Sequence, residues 1–498
     1  MKLTELLAGV ATEPAPAPKA KVEITGVSSD SRTVKAGDLF VAIPGAKSNG
    51  VQYAHDAVKN GAAAVLAEKT IGGLSVPLFI VPSVRKAAAQ LAANFYGHPA
   101  RELALLGITG TNGKTTTAWL LESICLAGMN NVGLFGTIGV RYGGQTFPAT
   151  HTTPDPITLH RTLREMVDSG VDTVVMEVSS HALAQERVHG LTFRAAGFTN
   201  LSRDHLDYHK DMEVYFQAKR RLFTENLSPG GLAVVAADDT YTTRVYNEMK
   251  QLKRQAWKFS AAGNAELSAS NVEFSTSGIK ATLKTPAGDI VVKSPLIGKH
   301  NLDNILCATG LALAVGASRR DVQDGIERVM RVPGRMERVE NGGITALVDY
   351  AHTDDALAKA VESARGVTKG KLIVVFGCGG ERDQGKRPLM GEVAASADLP
   401  IVTSDNPRGE NPDDIIQAIL PGLEKGELRR MSPAKARTGE RGYLVEADRK
   451  AAIGLAISLA KPGDTILIAG KGHETYQEVA GERAHFDDLE EASRALGL

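Results

Sequence analysis

Between an apolar run, LALLGIT, and an amphipathic one, AWLLESICLAG, the chain places GTNGKTT at residues 110–116. A glycine-rich turn that leaves a strand and opens a helix presents backbone N–H groups and the positive helix end to an anion. Gly110, Thr111, Asn112 and Gly113 form the turn. Lys114 then reaches toward terminal phosphates, and the hydroxyl of Thr115 or Thr116 lies near Mg²⁺. The spacing departs from the strict phosphate-loop pattern, because the position five before Gly113 is Ile108 and the nearest glycine, Gly107, is one further back. Phosphate binding alone leaves a kinase, an ATPase and a ligase all open.

Two further segments carry polar residues just after apolar runs. Glu177 closes DTVVMEV and is followed by Ser179, Ser180 and His181. A carboxylate leaving a strand beside a phosphate loop can hold Mg²⁺, but it can equally be a loop acid or cap the next helix. The run TNLSRDHLDYH, 199–209, brings Asn200, Asp204, His205, Asp207 and His209 together, as a site or as ordinary surface and core polar groups. Lys219, inside the helical pattern MEVYFQAKRRLF, reads from its spacing as a solvated surface lysine.

The elements that must position these residues follow the same logic. Apolar runs such as DTVVMEVSS, AAGFTNLS and LAVVAADD, separated by helical patterns, read as a parallel sheet buried on both faces. A Thr/Ser-rich stretch at 265–295 reads as an antiparallel edge extension. Ahead of this region lies a Pro/Ala-rich segment at 11–21. It is followed by short strands in DLFVAI, AAAVLAE and PLFIVP, then by a helix over 84–97. From about residue 331 a third α/β unit begins. Its strands ITALVDYAHT, KLIVVFGCGG, LPIVTSDNP and DTILIAGKGHE carry polar residues at their carboxyl ends, where open α/β sheets collect ligands.

Composition bounds the reading. With 498 residues the chain suits about three domains. Lys+Arg 57 balances Asp+Glu 57, which argues against a nucleic-acid protein held by a basic surface. Hydrophobic residues make up 43% and charged residues 23%, enough for several cores on a globular chain. No apolar run is long enough to span a membrane, and MKLTELLAGV lacks a signal-peptide pattern. Three isolated cysteines, Cys125, Cys307 and Cys378, give no disulfide framework and no four-cysteine zinc site. A reduced, cytoplasmic protein is expected.

Taken in order, seven segments resemble the Mur ligases, and within them the UDP-N-acetylmuramoyl-tripeptide synthetases. They are GTNGKTT, MEVSSH, TNLSRDHLDYH with Lys219 downstream, IGKHNLDN (297–304), PGRME (333–337), DYAHT (349–353) and AGKGHE (469–474). SDSRTVKAGDLFVAIPG, 29–45, resembles the UDP-binding first domain of that family, so the likeness spans nearly the whole chain. The resemblance implies an α/β protein of three domains: a UDP-binding domain over 1–98, a central P-loop-type, mostly parallel-sheet ATPase domain over 99–332, and a C-terminal Rossmann-like domain over 333–498 that binds the amino acid. It implies a monomeric, ATP-dependent amide-bond ligase of cytoplasmic peptidoglycan precursor synthesis. Such an enzyme adds meso-2,6-diaminopimelate to the D-glutamate γ-carboxylate of UDP-N-acetylmuramoyl-L-alanyl-D-glutamate through an acyl phosphate.

The same resemblance distributes roles. Ser29, Ser31, Ala46, Lys47 and Ser48 would hold the uridine diphosphate end. His151 (Asn in the enterobacterial enzyme), Thr152, Thr153, Ser179, Gln185 and Arg187 would line the muramoyl-dipeptide groove. Glu177 and His205 match Mg²⁺ ligands for two ions, Thr115 joins them, and Lys219 matches the lysine that family members carbamylate. Asn301 and Asn304 would meet the adenine side, with Arg335 and Asp349 completing the nucleotide site. Asp405–Asn406–Pro407–Arg408 resembles the family's diaminopimelate signature, and Arg382, Gly470 and Glu474 match its other acceptor contacts. Asp354 stands where a proline is common, a loop substitution. Two rivals remain: a folylpolyglutamate-synthetase-like ligase, and a nucleotide-dependent switch that needs no acceptor site.

Overall fold

The computed structural model describes residues 1–14, 22–45, 49–275 and 277–498. Most of the Pro/Ala-rich segment and the three residues Ala46, Lys47 and Ser48 lie outside them. Three large sheets follow one another along the chain, and a two-stranded antiparallel pair, Tyr476–Val479 with Glu482–His485, follows the last. The first has four parallel strands in sequence order, Gly26–Ser28, Asp38–Val41, Ala64–Ala67 and Leu78–Ile80. Helix Val84–Phe95 packs on it, and the Ser83 hydroxyl accepts the Lys86 N–H at its start.

The central sheet has eleven strands. Ala104–Thr109 lies in the middle, parallel to Thr173–Glu177 on one side and to Phe193–Phe198 on the other. Parallel register puts Ile108 opposite Glu177 and Thr109 opposite Phe198, so the loops after all three strands leave at the same edge. Both faces are buried. Helices Lys114–Ala127, His300–Ala314 and Arg319–Arg328 cover one face, and Pro156–Asp168, Met212–Arg221 and Thr240–Gln251 the other. The Thr/Ser-rich stretch forms Leu267–Ser275, Gly278–Lys284 and Ile290–Ser294, paired antiparallel at one end of the sheet as expected.

In the third sheet Ile344–Asp349, Thr465–Ala469, Leu372–Phe376, Leu399–Val402 and Leu444–Val445 run parallel, with Glu337–Asn341 antiparallel at the edge. Their carboxyl ends again point one way, so the segments 350–354, 377–386, 403–411 and 470–476 gather above one sheet end. Among the described residues no helix is long and apolar enough to cross a membrane.

Candidate active site between the central and C-terminal sheets

The phosphate turn depends on its glycines. Gly110 and Gly113 both have positive φ, +147° and +85°. A Cβ on Gly110 would collide with Thr199 Oγ1, and one on Gly113 with Asn304 Oδ1. The adjacent loop braces the turn. Asn200 Oδ1 accepts the Asn112 N–H at 3.0 Å, and Thr199 Oγ1 donates to the Asn112 carbonyl at 2.6 Å. No side chain caps the helix that begins at Lys114, so its first N–H groups are free to meet an anion.

Glu177 is fully buried at the strand end. Its Oε2 accepts from Thr115 Oγ1 at 3.1 Å and Thr137 Oγ1 at 3.0 Å, and its Oε1 accepts the Thr137 N–H at 2.9 Å. Arg335 donates to Thr115 Oγ1 at 3.1 Å, bringing the segment that precedes strand Glu337–Asn341 to the turn, and Asp349 accepts the Met336 N–H at 2.8 Å. Burial raises the Asp349 carboxyl above the usual range, against the nearby Arg335.

Lys219 corrects the reading of its helix as a surface element. It is 1% exposed, and its Nζ donates to the Gly110 carbonyl at 2.7 Å. Burial first, then the Lys114 charge, pushes its ammonium well below the ordinary lysine range. His205 has φ +55°, and its Nε2 lies 3.3 Å from Asp204 Oδ2. Burial pulls the imidazole down to about 4, so the ring is neutral near pH 7 and able to ligate.

Asn304 lies against Gly113 and accepts from Thr117, whereas Asn301 holds Asn304 from behind, donating to Ile297 O and accepting from Asn304 Nδ2 at 2.8 Å. A cleft opens at the phosphate turn, lined by Lys114, Thr115, Asp204, His205, Arg335 and His352, and a neighbouring hollow lined by Phe259, His300, Asp303, Asn304, Asp355 and Lys359 continues it. Phe259, Asp303, Asp355 and Thr137 were missed in sequence, since nothing in their local spacing sets them apart.

A second cleft brings together Arg382, Asp405, Asn406, Arg408, Gly470 and Glu474. Pro407 is buried beside them, outside the lining, and its carbonyl packs against Gly380. Arg408 is held at φ +54°, its guanidinium donating to the Gly380 carbonyl at 2.7 Å and its N–H to the Glu478 carbonyl at 3.0 Å. A non-glycine residue in that conformation is strained, which marks a position shaped by its surroundings.

The third hollow brings Ser29, just past the first strand, to Gln185 and Arg187, with Arg85 alongside. Arg187 donates to the Thr153 carbonyl at 2.7 Å and to Gln185 at 2.9 Å. Thr153 is buried and Thr152 lines the cleft at the phosphate turn, where Ser179 also sits. Ser31 and His151 stay outside these linings: Ser31 accepts from Asn60 through its carbonyl, and His151 is exposed beside Thr150. Ala46, Lys47 and Ser48 are not among the described residues.

Among the described residues no three His, Cys, Asp or Glu side chains converge as a metal site. The oxygens of Glu177 and Thr115 are hard donors within 3.1 Å of each other, which suits Mg²⁺ sharing its shell with phosphate oxygens.

Residues 23–96 match the Mur ligase family catalytic domain, 108–312 the Mur ligase middle domain and 334–472 the Mur ligase glutamate ligase domain. The UDP-N-acetylmuramoyl-L-alanyl-D-glutamate--2,6-diaminopimelate ligase of Gloeobacter violaceus is 45% identical over 501 residues, 100% of this chain and 98% of that one. A solved structure bearing the same ligase name is 32% identical with a TM-score of 0.67, over 95% of each chain. The fold is shared more widely: folylpolyglutamate synthase of Mycobacterium tuberculosis, complexed with ADP and AMPPCP, is 18% identical with a TM-score of 0.64 over 83% of this chain. With full-length identity at this level, an ATP-type phosphate turn and three α/β sheets in the matching order, this chain belongs to the Mur ligase family.

Proposed function

We propose that this protein is the ATP-dependent ligase that joins meso-2,6-diaminopimelate to the D-glutamate γ-carboxylate of UDP-N-acetylmuramoyl-L-alanyl-D-glutamate, in cytoplasmic peptidoglycan precursor synthesis. One observation carries the reading. The nucleotide cleft and the second cleft share a wall made of Asp204, His205, Tyr350 and His352. A group activated at the nucleotide is therefore within reach of an acceptor held by Arg382, Asp405, Asn406 and Arg408. A switch protein has no use for that second cleft.

A carboxylate is a poor acyl donor, because amine attack would have to expel oxide. The γ-carboxylate attacks the γ-phosphorus of ATP, ADP leaves, and an acyl phosphate forms. The diaminopimelate amine then attacks the carbonyl, a tetrahedral intermediate forms, and phosphate departs. Lys114 and Arg335 supply positive charge where two anions must approach. Glu177 and Thr115 would hold one Mg²⁺, and His205 with a carbamate on Lys219 a second; bound there, Mg²⁺ neutralises charge on the transferring phosphoryl group. The low proton affinity of Lys219 supports the carbamate, since only the neutral amine captures CO₂.

We assign the UDP handle to residues 1–98, ATP to 99–332 and the amino acid to 333–498, with Ser29, Ser31, Ala46, Lys47 and Ser48 at the uridine diphosphate. Asp405–Asn406–Pro407–Arg408 favours diaminopimelate over lysine, and all proposed groups come from one chain, as in a monomer. The test is phosphate release with each substrate omitted in turn. Release is expected only with ATP, UDP-muramoyl-dipeptide and diaminopimelate together. Turnover with a folate and glutamate instead would establish the rival.

A further inference from the structure

Lys471 is the one lysine of the AGKGHE segment, and its side chain is 0% exposed. It does not line the acceptor cleft, yet each of its polar neighbours does. Its Nζ donates to Asn406 Oδ1 at 3.0 Å and lies 3.8 Å from Asp405 Oδ1 and 3.6 Å from Glu474 Oε2. Behind it the ring of Tyr476 is 5.5 Å away. Burial lowers the proton affinity of this amine, while Asp405 and Glu474 oppose that shift.

These contacts decide how the pocket is built. Asn406 Oδ1 accepts both from Lys471 and from the Glu478 N–H at 3.0 Å, so its Nδ2 must face the other way, donating to Glu474 Oε2 at 2.8 Å. Asp405, 7% exposed, and Glu474, 17% exposed, are two carboxylates on one ammonium. Without that cation they would repel each other in a site that water barely screens, and Glu474, whose carboxyl burial already raises, would lean toward its neutral form.

We propose that Lys471 is a positioning residue of the acceptor pocket: shared between Asp405 and Glu474 and anchored on Asn406, it leaves that carboxylate pair one net negative charge to receive one ammonium group of an amino-acid substrate. The inference rests on the proposed ligase reading and extends it to a residue outside the substrate's reach. Lys471 takes no part in phosphoryl transfer, so ATP and the dipeptide are handled without it.

The experiment compares the full-length enzyme with Lys471→Met, with Lys471→Gln (which keeps a donor for Asn406 without the charge), with Glu474→Gln, and with Lys471→Met/Glu474→Gln. In Lys471→Met the KM for diaminopimelate is expected to rise about 10-fold or more. The KM values for ATP and UDP-muramoyl-dipeptide, and acyl-phosphate formation without acceptor, are expected to stay near wild type. Glu474→Gln removes the carboxylate that most needs the cation. The double variant should therefore lose at least about 5-fold less than the product of the single effects. An acceptor KM within twofold of wild type in either Lys471 variant overturns the proposal, as do Lys471→Met and Glu474→Gln effects that multiply in the double variant. Equal loss of acyl-phosphate formation in Lys471→Met and Lys471→Gln also overturns it, because the lysine would then be supporting the whole domain. Failure of the wild-type enzyme to use diaminopimelate would instead strike the ligase reading itself.

Discussion

Lys219 and Lys114 donate to the same acceptor: both Nζ atoms bond the carbonyl of Gly110, at 2.7 and 2.9 Å. Burial lowers the proton affinity of both amines, and the Lys114 charge lowers that of Lys219 further. Converting the Lys219 amine to a carbamate replaces that repulsion with attraction to Lys114. Lys219→Ala is therefore expected to lose most ligase activity while still folding and binding ATP. Acetate or formate should restore part of the rate by standing in for the missing carboxylate, read by phosphate release. Full activity in the alanine variant would sink the idea.

Lys114→Ala should abolish acyl-phosphate formation and leave UDP-muramoyl-dipeptide affinity nearly intact. The hollow with Ser29, Gln185 and Arg187 lies apart from the phosphate turn, so the two binding free energies should be close to independent. Calorimetry that showed dipeptide affinity falling along with activity would contradict the assignment of separate sites.

Arg408→Ala bears on acceptor choice. Diaminopimelate differs from lysine by one carboxylate, which a guanidinium can bind through two parallel hydrogen bonds. Losing that pair is expected to cost about 1.5–3 kcal/mol, roughly 10- to 200-fold in kcat/KM for diaminopimelate. The slow lysine reaction should change little. Equal falls for both substrates would mean that Arg408, which also bonds the Gly380 carbonyl, supports the loop and does not read the substrate.

The pair Arg449–Asp488 is 0% exposed on both sides, and Arg449 also donates to the Ala469 carbonyl at 3.0 Å, beneath the acceptor loop. Asp488→Ala strands a buried guanidinium and should destabilise the C-terminal unit by about 3–5 kcal/mol. Chemical denaturation followed by a probe in that unit measures it, and a midpoint shift worth under about 1 kcal/mol would contradict the burial argument.

Glu122 lies in the helix after the phosphate turn, 3.2 Å from Arg141, and burial pushes its carboxyl up to about 7. The folded state then binds a proton more tightly than the unfolded chain, so this group costs stability as pH rises from the ordinary 4.5 toward 7. Glu122→Gln removes that dependence. Relative to wild type, the variant should gain up to about 3 kcal/mol between about pH 5 and pH 8, seen as a pH-dependent difference in Tm. A constant difference across that range would show that Arg141 keeps Glu122 ionised throughout.

Chemistry that depends on chain geometry over a few residues was legible without a fold. GTNGKTT announces a phosphate turn because only glycine fits where Gly110 meets Thr199 and Gly113 meets Asn304. The apolar runs announce parallel strands because both sheet faces must be buried, and their polar ends announce a ligand edge. Lys219 shows the limit of that kind of reading. Its helix spacing alone makes it a surface lysine, and only a resemblance over many motifs marked it. Its burial comes from packing against a turn 109 residues away in sequence. Asp204, Tyr350 and His352, which join the two clefts, come from strand ends of two different sheets, and Lys471 works through Asn406, 65 residues upstream. Charge neutralisation, proton affinity and shared walls are properties of distance and burial. They arise when the sheets pack, and residue spacing along the chain does not contain them.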